Sequence, residues 1–447
     1  MSSNSKAREQ WGSQVGFILA AAGSAIGLGN IWRFPYLVGM NGGAAFVIIY
    51  IAIAVTVGLT VMLTEFCLGR ASQKGSVGAF KRLAPNKFWR VFGWLGLLAG
   101  GFIILSYYGV IAGWTVKYMF GSFTGLMGQA AGGGSGDYLN AFLADSKSVI
   151  AYQVGVMAVT VIIVACGVGK GIEQSCKYMM PGLFIVLLIL IARSVTLPGA
   201  EAGLEFYLKP DFSKLSGKTL IDALGQGFFS LSLGMGIMIT YGSYLSKSEN
   251  LPKCALLVFI LDTLAATLAG LAIFPALFAM GMEPAQGVGL TFVTLPGVFA
   301  QMPAGAFFSF LFFLLLFLAS LTSMMSLLEV SVTFLMDEFK MGRVKAALSS
   351  GSVITILGIP SAYSLSGNLK VFGMSFFDFM DYISNNIMMP INAIGICLFA
   401  GWIWTEKLRE EITNNGLIRF AVQPVWITSV KIFAPAAIAV ILASGAN

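Results

Sequence analysis

From residue 12 to residue 443 the chain alternates long apolar runs with short polar interruptions. A bilayer's hydrocarbon core takes roughly 20 mostly apolar residues per helix. By that rule eleven stretches qualify, at roughly 12–37, 42–68, 91–120, 149–167, 178–195, 223–245, 252–281, 304–335, 344–362, 374–404 and 425–443. Residues 286–303 are apolar too, but Gly and Pro break them into pieces too short to span, so they read as a re-entrant or surface hairpin. The expected fold is an all-α polytopic membrane protein of eleven transmembrane helices, with residues 1–447 forming a single domain.

Composition sharpens this. Hydrophobic residues make up 57% and charged residues 11% of the 447, against roughly 25% charged in soluble domains. A water-soluble fold has no interior large enough for so many apolar side chains, whereas lipid accepts helices that are apolar all round. The net charge of +7 is read as topology: Lys and Arg do not cluster with exposed aromatics as in a nucleic-acid binder, so no nucleic-acid partner is expected. The loop after the second span holds Arg70, Lys74, Lys81, Arg82, Lys87 and Arg90 with no acidic residue among them, while the loop after the first holds no Lys or Arg. The positive-inside rule puts that basic loop and the N-terminus in the cytoplasm, and eleven spans then put the C-terminus outside the cell membrane. Polar Met1–Gln10 lacks an apolar signal region, so no removable signal peptide is expected.

Histidine is absent, which excludes His-ligated metals, His proton relays and most nucleophile–His catalysis. Five cysteines, Cys67, Cys166, Cys176, Cys254 and Cys397, fall in or beside apolar runs and read as buried thiols. No enzyme constellation and no organic cofactor motif emerges. Gly217-Lys218-Thr219 has the end of a phosphate-binding loop, but Phe212 stands where its first glycine belongs.

Two spans carry an interruption. Span 1 contains Gly23-Ser24-Ala25-Ile26-Gly27-Leu28-Gly29-Asn30, and span 6 contains Ser230-Leu231-Ser232-Leu233-Gly234-Met235-Gly236. One such cluster is equally well read as a close helix contact through small residues, as Gly12/Gly16 or Gly23/Gly27 would make. A pair at corresponding positions of two five-helix sets points elsewhere. It marks an inverted-repeat transporter with a midplane site, in which unwound carbonyls take a cation and half-helix N-termini take an anion. The repeats are expected at about 12–195 and 223–404, with an additional helix at about 425–443.

The run Gly23 to Pro35 (GSAIGLGNIWRFP) with Asn41-Gly42-Gly43-Ala44 and Phe46 resembles the neurotransmitter:sodium symporter family, in its bacterial amino-acid branch with the leucine-transporter fold. The similarity extends through Tyr107-Tyr108, the span 6 break and Ser320-Leu321-Thr322-Ser323. It implies symport of a small amino acid with sodium at two sites. The first would use Ala25, Asn30, Ser230 and Asp262; the second Gly23, Ile26, Ala319, Thr322 and Ser323. On a helix Ala319, Thr322 and Ser323 share one face, although Thr and Ser hydroxyls there also commonly bond back to their own carbonyls. Asp262, an acid in an apolar run, is a functional candidate on its own account; it either ligates sodium or supplies the negative charge that relatives take from chloride. Glu65 is a second buried acid, suited to hold the unwound backbone of span 6.

The resemblance further implies a substrate carboxylate on the N–H groups of Leu28 and Gly29 and on Tyr108, with Ala25, Gly27 and Ser230 alongside. Amine-carrying relatives have an acid where Gly27 stands, so an amino acid is expected here. Ile104, Phe229, Ser232, Met235, Met238, Ser323, Met324 and Leu327 would form an apolar, Met-rich wall for hydrophobic side chains, aromatic ones included. Arg33 and Asp381 are charges within spans that need partners; the family pairs them as an outer gate with Tyr108 and Phe229. Arg8, Trp11, Tyr244 and Asp337 resemble its inner gate. Gly171 and Pro181 weaken the start of span 5, which is expected to unwind and open a path for sodium. The competing readings are a proton-coupled carrier with Asp262 as the titrating group, and a membrane sensor that binds without transporting. Beyond substrate and lipid bilayer the sequence indicates no partner and leaves the oligomeric state open.

Overall fold

The structure, a computed structural model, describes residues 8–282 and 289–445. Among these, nine helices are long and apolar enough to cross a membrane: Ala44–Ser72, Lys87–Thr124, Ser146–Ala165, Val168–Val195, Leu251–Ala279, Gly305–Phe339, Arg343–Ser364, Phe376–Ile403 and Gln423–Ser444. They are spans 2, 3, 4, 5, 7, 8, 9, 10 and 11 of the sequence reading. The other two are broken. Span 1 is Gln14–Ala25 and Gly29–Met40, bent by 52°. Span 6 is Gly217–Ser230 and Ile237–Gly242, with six non-helical residues between.

Outward faces carry half-exposed Val, Ile, Leu and Phe, such as Ile162, Ile185 and Ile356, as lipid-facing helices do. The small and polar residues turn inward. Span 8 is the central post, buried along Leu311–Thr333 apart from a few positions, and spans 1, 3, 5 and 9 pack against it. The described part of the interrupted segment, Leu290–Ala300, is a short apolar helix. Its Phe292 packs edge-on to Trp32 of span 1 and to Trp114 and Tyr118 of span 3, so this segment plugs one end of the bundle. Residues 286–288 of it lie outside the described residues.

Why the breaks form is visible in the backbone. Ile26 leaves the helix at φ −74°, ψ 90°, and helical geometry resumes at Gly29. In span 6, Ser232, Gly234 and Gly236 have φ of 54°, 72° and 74°. Left-handed backbone is open to glycine but costs other residues free energy, and strained residues of this kind gather at functional sites. The freed groups find partners. Glu65 Oε1 accepts from Gly234 N at 2.8 Å, and Asn392 Nδ2 donates to Gly234 O at 2.8 Å. Ser232 Oγ donates to Ser24 O at 3.0 Å, tying one break to the other.

Candidate functional site

The two breaks face each other at a small chamber. Ser24, Ala25, Gly27 and Gly29 line it from span 1; Phe229, Ser230, Ser232, Met235 and Ile237 from span 6; Ile104 and Tyr108 from span 3; Ser323 and Leu327 from span 8. Its free space is about 30 Å³, so a substrate enters by displacing side chains. Of the residues expected at a substrate, Leu28, Met238 and Met324 do not line the chamber. Leu28 acts through its backbone, donating N–H to Tyr108 Oη at 3.2 Å. Met324 packs on Gly109, and Met238 is fully buried in the core. Ser24 and Ile237 line the chamber without having been expected there. Ser24 stood within the glycine cluster, in the last turn of the half-helix Gln14–Ala25.

At one end lies a cluster of neutral donors around a carboxylate. Asn30 Nδ2 donates to Asp262 Oδ1 at 2.8 Å and to Ser230 Oγ at 3.1 Å. Ser230 Oγ lies 3.0 Å from both Asp262 oxygens, and Tyr50 Oη donates to Asp262 Oδ2 at 3.3 Å. Asp262, Asn30 and Tyr50 are all 0% exposed. Among the described residues no Lys or Arg pairs with Asp262. A buried carboxylate without a cationic partner is expensive unless it binds a cation or a proton. The three expected side chains of the first sodium site therefore come together here, with Ala25 on the wall beside them. Tyr50 was not anticipated. Neither was Gln226, whose Nε2 donates to Gly29 O at 2.8 Å while its buried Oε1 has no partner. Gln226 stands four residues before Ser230, on the same helical face, and that spacing was the available signal.

The second expected cation site joins span 1 to span 8. A Cβ on Gly23 would lie 3.2 Å from Thr322 Cβ and 3.1 Å from Met180 Sδ of span 5, so glycine lets three helices meet. Thr322 Oγ1 donates to Ala319 O at 2.9 Å, the back-bonded arrangement. Ser323 Oγ lies within donor reach of two carbonyls, Ala319 O at 3.3 Å and, across to span 1, Ser24 O at 3.2 Å, with one proton to share between them. A hydroxyl that donates its proton keeps two acceptor pairs, so back-bonding and cation ligation are compatible. Ile26 ends the first half-helix at this level.

Gly27 has no room for a side chain. A Cβ there would sit 2.7 Å from Ser323 Oγ and 2.9 Å from Tyr108 Oη. Phe229 covers the chamber, its ring 3.0 Å from where a Cβ on Gly29 would be.

The two ends of the pathway differ. Arg8 Nη1 pairs with Asp337 at 3.0 Å, Arg8 Nη2 donates to Ser243 Oγ at 2.6 Å, and the guanidinium lies 4.5 Å from the Tyr244 ring centroid. Trp11 donates to Tyr241 O at 3.1 Å, and Tyr244 Oη to Glu329 at 2.5 Å. Asp337 also holds Lys74 and the Gly75 N–H. This end is shut. At the other, Arg33 sits 5.2 Å from the Phe229 ring centroid, and Asp381 accepts from Asn385 at 2.7 Å. Among the described residues Arg33 and Asp381 make no ion pair with each other. Span 5 is continuously helical from Val168, with Gly171 in a wide π turn and Pro181 inside the helix, so its start is wound here. The N-terminal segment clamps that start: Glu173 accepts from Gly12 N at 2.7 Å and Ser13 Oγ at 2.9 Å, and Glu9 accepts from Val168 N at 3.2 Å.

Two discontinuous helices that face each other across an oxygen-lined chamber define a secondary transporter. The sodium:neurotransmitter symporter family model matches residues 8–132 and 140–447, and the chain belongs to that family. Similar proteins include an uncharacterized sodium-dependent transporter of Haemophilus influenzae, 39% identical over 99% of both chains. Another is the uncharacterized sodium-dependent transporter YhdH of Bacillus subtilis, 39% identical over 97% of this chain and 96% of that one. Among solved structures, that of MhsT in complex with L-phenylalanine is 44% identical, covers 98% of this chain and 100% of that one, and has a TM-score of 0.89. The chain is thus a multi-pass membrane protein of a sodium-dependent transporter family, and membership of it marks a carrier and not an enzyme.

Proposed function

We propose that this chain imports hydrophobic L-amino acids, aromatic ones included, by sodium-coupled symport with alternating access. The observation that carries the reading is the Asp262–Asn30–Ser230 cluster, buried, anionic and without a protein cation among the described residues, at one end of a chamber lined by both hydroxyl and apolar side chains. A sodium ion there takes its ligands from oxygen alone, as a hard cation prefers. The substrate carboxylate completes the shell beside Gly27, with the Leu28 and Gly29 N–H groups and Tyr108 as donors. Ile104, Phe229, Met235 and Leu327 receive the side chain. A second sodium ion joins Gly23, Ile26, Ala319, Thr322 and Ser323, and its departure lets spans 1, 5 and 8 separate.

MhsT, the similar structure, was solved with L-phenylalanine, which supports a hydrophobic amino acid as the substrate class. Asp262 carries its own negative charge, so transport proceeds without chloride. The repeats at about 12–195 and 223–404 rock about the fixed site. The Arg70–Arg90 loop and the N-terminus lie in the cytoplasm and the C-terminus outside, so the Arg8–Asp337 latch closes the inner path. Unwinding of span 5 between Gly171 and Pro181 wets the second sodium site and releases that ion first.

The test is uptake of a panel of labelled amino acids into proteoliposomes, with sodium or choline outside and with chloride or gluconate. Leucine-like and aromatic substrates are expected to enter only with sodium and equally well in gluconate. Uptake driven by a pH gradient without sodium would establish the proton-coupled reading instead, and binding without flux would establish a sensor.

A further inference from the structure

A second cavity, of about 860 Å³, lies on the flank of the molecule between spans 2, 7 and 11. Its walls include Val55, Leu59, Leu256, Val425, Phe433 and Ala437. Val55, Leu256, Val425 and Phe433 are 42%, 44%, 71% and 64% exposed, so the groove opens to the lipid side of the bundle. The polar groups inside it are already satisfied by protein. Thr60 Oγ1 donates to Thr56 O, Thr56 Oγ1 to Ala52 O, and Trp426 Nε1 to Thr60 O. What fills this part of the groove must therefore be hydrocarbon. From Val425 to Ala437 the groove runs roughly 18 Å at helical rise, about one leaflet of a core roughly 30 Å thick.

One end is different. Lys253 and Arg419 stand at the rim with Asn250, both exposed, and among the described residues neither has an ion-pair partner. Two nearby acidic side chains are engaged elsewhere: Glu249 accepts from Gln14, and Glu411 pairs with Arg70 and Lys247. Arg70 also donates to Glu249 O, so this rim is on the side of the basic 70–90 loop.

We propose that this groove is a binding site for an anionic glycerophospholipid of that leaflet. Lys253 and Arg419 hold the phosphate, and one acyl chain lies along spans 2 and 11. Paired basic side chains over an apolar slot between transmembrane helices match a headgroup–chain amphiphile. A zwitterionic lipid gains less, because its own cation repels the pair. The occupant touches span 7, which carries Asp262, and span 11, which lies outside the two repeats.

The experiment uses the purified full-length chain, delipidated in detergent, titrated with phosphatidylglycerol or phosphatidylcholine, and read by native mass spectrometry. The wild type is expected to hold one phosphatidylglycerol with about tenfold preference, a difference near 1.4 kcal/mol. The double variant Lys253→Gln/Arg419→Gln loses that preference. Ala437→Trp, which fills the hydrocarbon half and leaves both cations, loses retention. Lys87→Gln/Lys345→Gln, which removes two basic residues remote from the groove, changes neither. Three results overturn the proposal. These are an unchanged preference in the first double variant, an equal loss in the control, and full retention in Ala437→Trp, which would mean headgroup adsorption without a groove.

Discussion

In the proposed mechanism Asp262 and Gly27 set the chemistry of the site, one by carrying a charge and the other by lacking a side chain. Asp262 is surrounded by donors that are neutral, so its charge is compensated only by what binds. Replacing it with Asn keeps the shape and removes the charge; a hydrogen bond or ligand bond to a charged group is worth about 1.5–3 kcal/mol. Asp262→Asn is therefore expected to raise the sodium concentration for half-maximal uptake at least ~10-fold, and chloride is expected to restore part of the rate. Unaltered sodium dependence would remove Asp262 from the coupling site. At Gly27, a methyl group falls 2.7 Å from Ser323 Oγ and 2.9 Å from Tyr108 Oη, in the space assigned to the substrate carboxylate. Those neighbours are side-chain ends that can shift, so Gly27→Ala should fold. Its substrate affinity is expected to fall by about tenfold or more, near 1.4 kcal/mol, with the melting temperature within a few degrees of wild type. Equal binding of amino acid by the variant would place the carboxylate elsewhere.

At the scale of elements, both broken helices could be read from glycine clusters, because one mid-span cluster also fits close helix packing, whereas two at corresponding positions of the two repeats point to breaks. Their supports were less legible. Glu65 was conspicuous as an acid in an apolar run, but Asn392 lies 158 residues from Gly234 and Tyr50 lies 180 residues from Ser230, and only folding brings those pairs together. Eleven spans were legible because each needs a long apolar run. The chamber's inner lining was less so, since inside a break the helical periodicity that tells one face from another is gone. Ser24 and Ile237, each in a half-helix beside a break, escaped notice, while Met238 and Met324 were placed on a wall that they do not reach. Span 5 makes a further test possible. Pro181 removes one backbone bond from a helix that is wound here, and restoring that bond stabilises the wound form. Pro181→Ala is expected to slow steady-state uptake several-fold and leave equilibrium substrate binding unchanged. Wild-type turnover in the variant would show that span 5 need not unwind.

Over the whole molecule the asymmetry between the ends is the main finding. The end held by Arg8, Trp11, Tyr244 and Asp337 is tied by hydrogen bonds and an ion pair partly shielded from water, whereas Arg33 and Asp381 remain apart. Asp337 holds Arg8, Lys74 and the Gly75 N–H together, so the latch is a small, partly buried network, and the proposed cycle requires it to come apart. Arg8→Ala removes its centre. Hydrogen exchange across residues 14–25 is expected to speed up about tenfold, and no change would mean that other contacts hold the inner path shut. The outer pair was expected together from its resemblance alone; the sequence has no means of showing which end of an alternating carrier is closed. The flank groove was invisible for a related reason, being assembled from three spans distant in the chain.

The driving force suffices for concentration. A charge crossing 100 mV gains about 2.3 kcal/mol, and a tenfold sodium gradient adds about 1.4 kcal/mol. With the proposed two ions per cycle this comes to about 7 kcal/mol, enough for roughly 10⁵-fold accumulation of a neutral solute. The most direct measurement starts with equal labelled amino acid inside and outside proteoliposomes and then imposes an inward sodium gradient. The account predicts net uphill accumulation that collapses when an ionophore equilibrates sodium. Label that stays level on both sides while the gradient stands would contradict it.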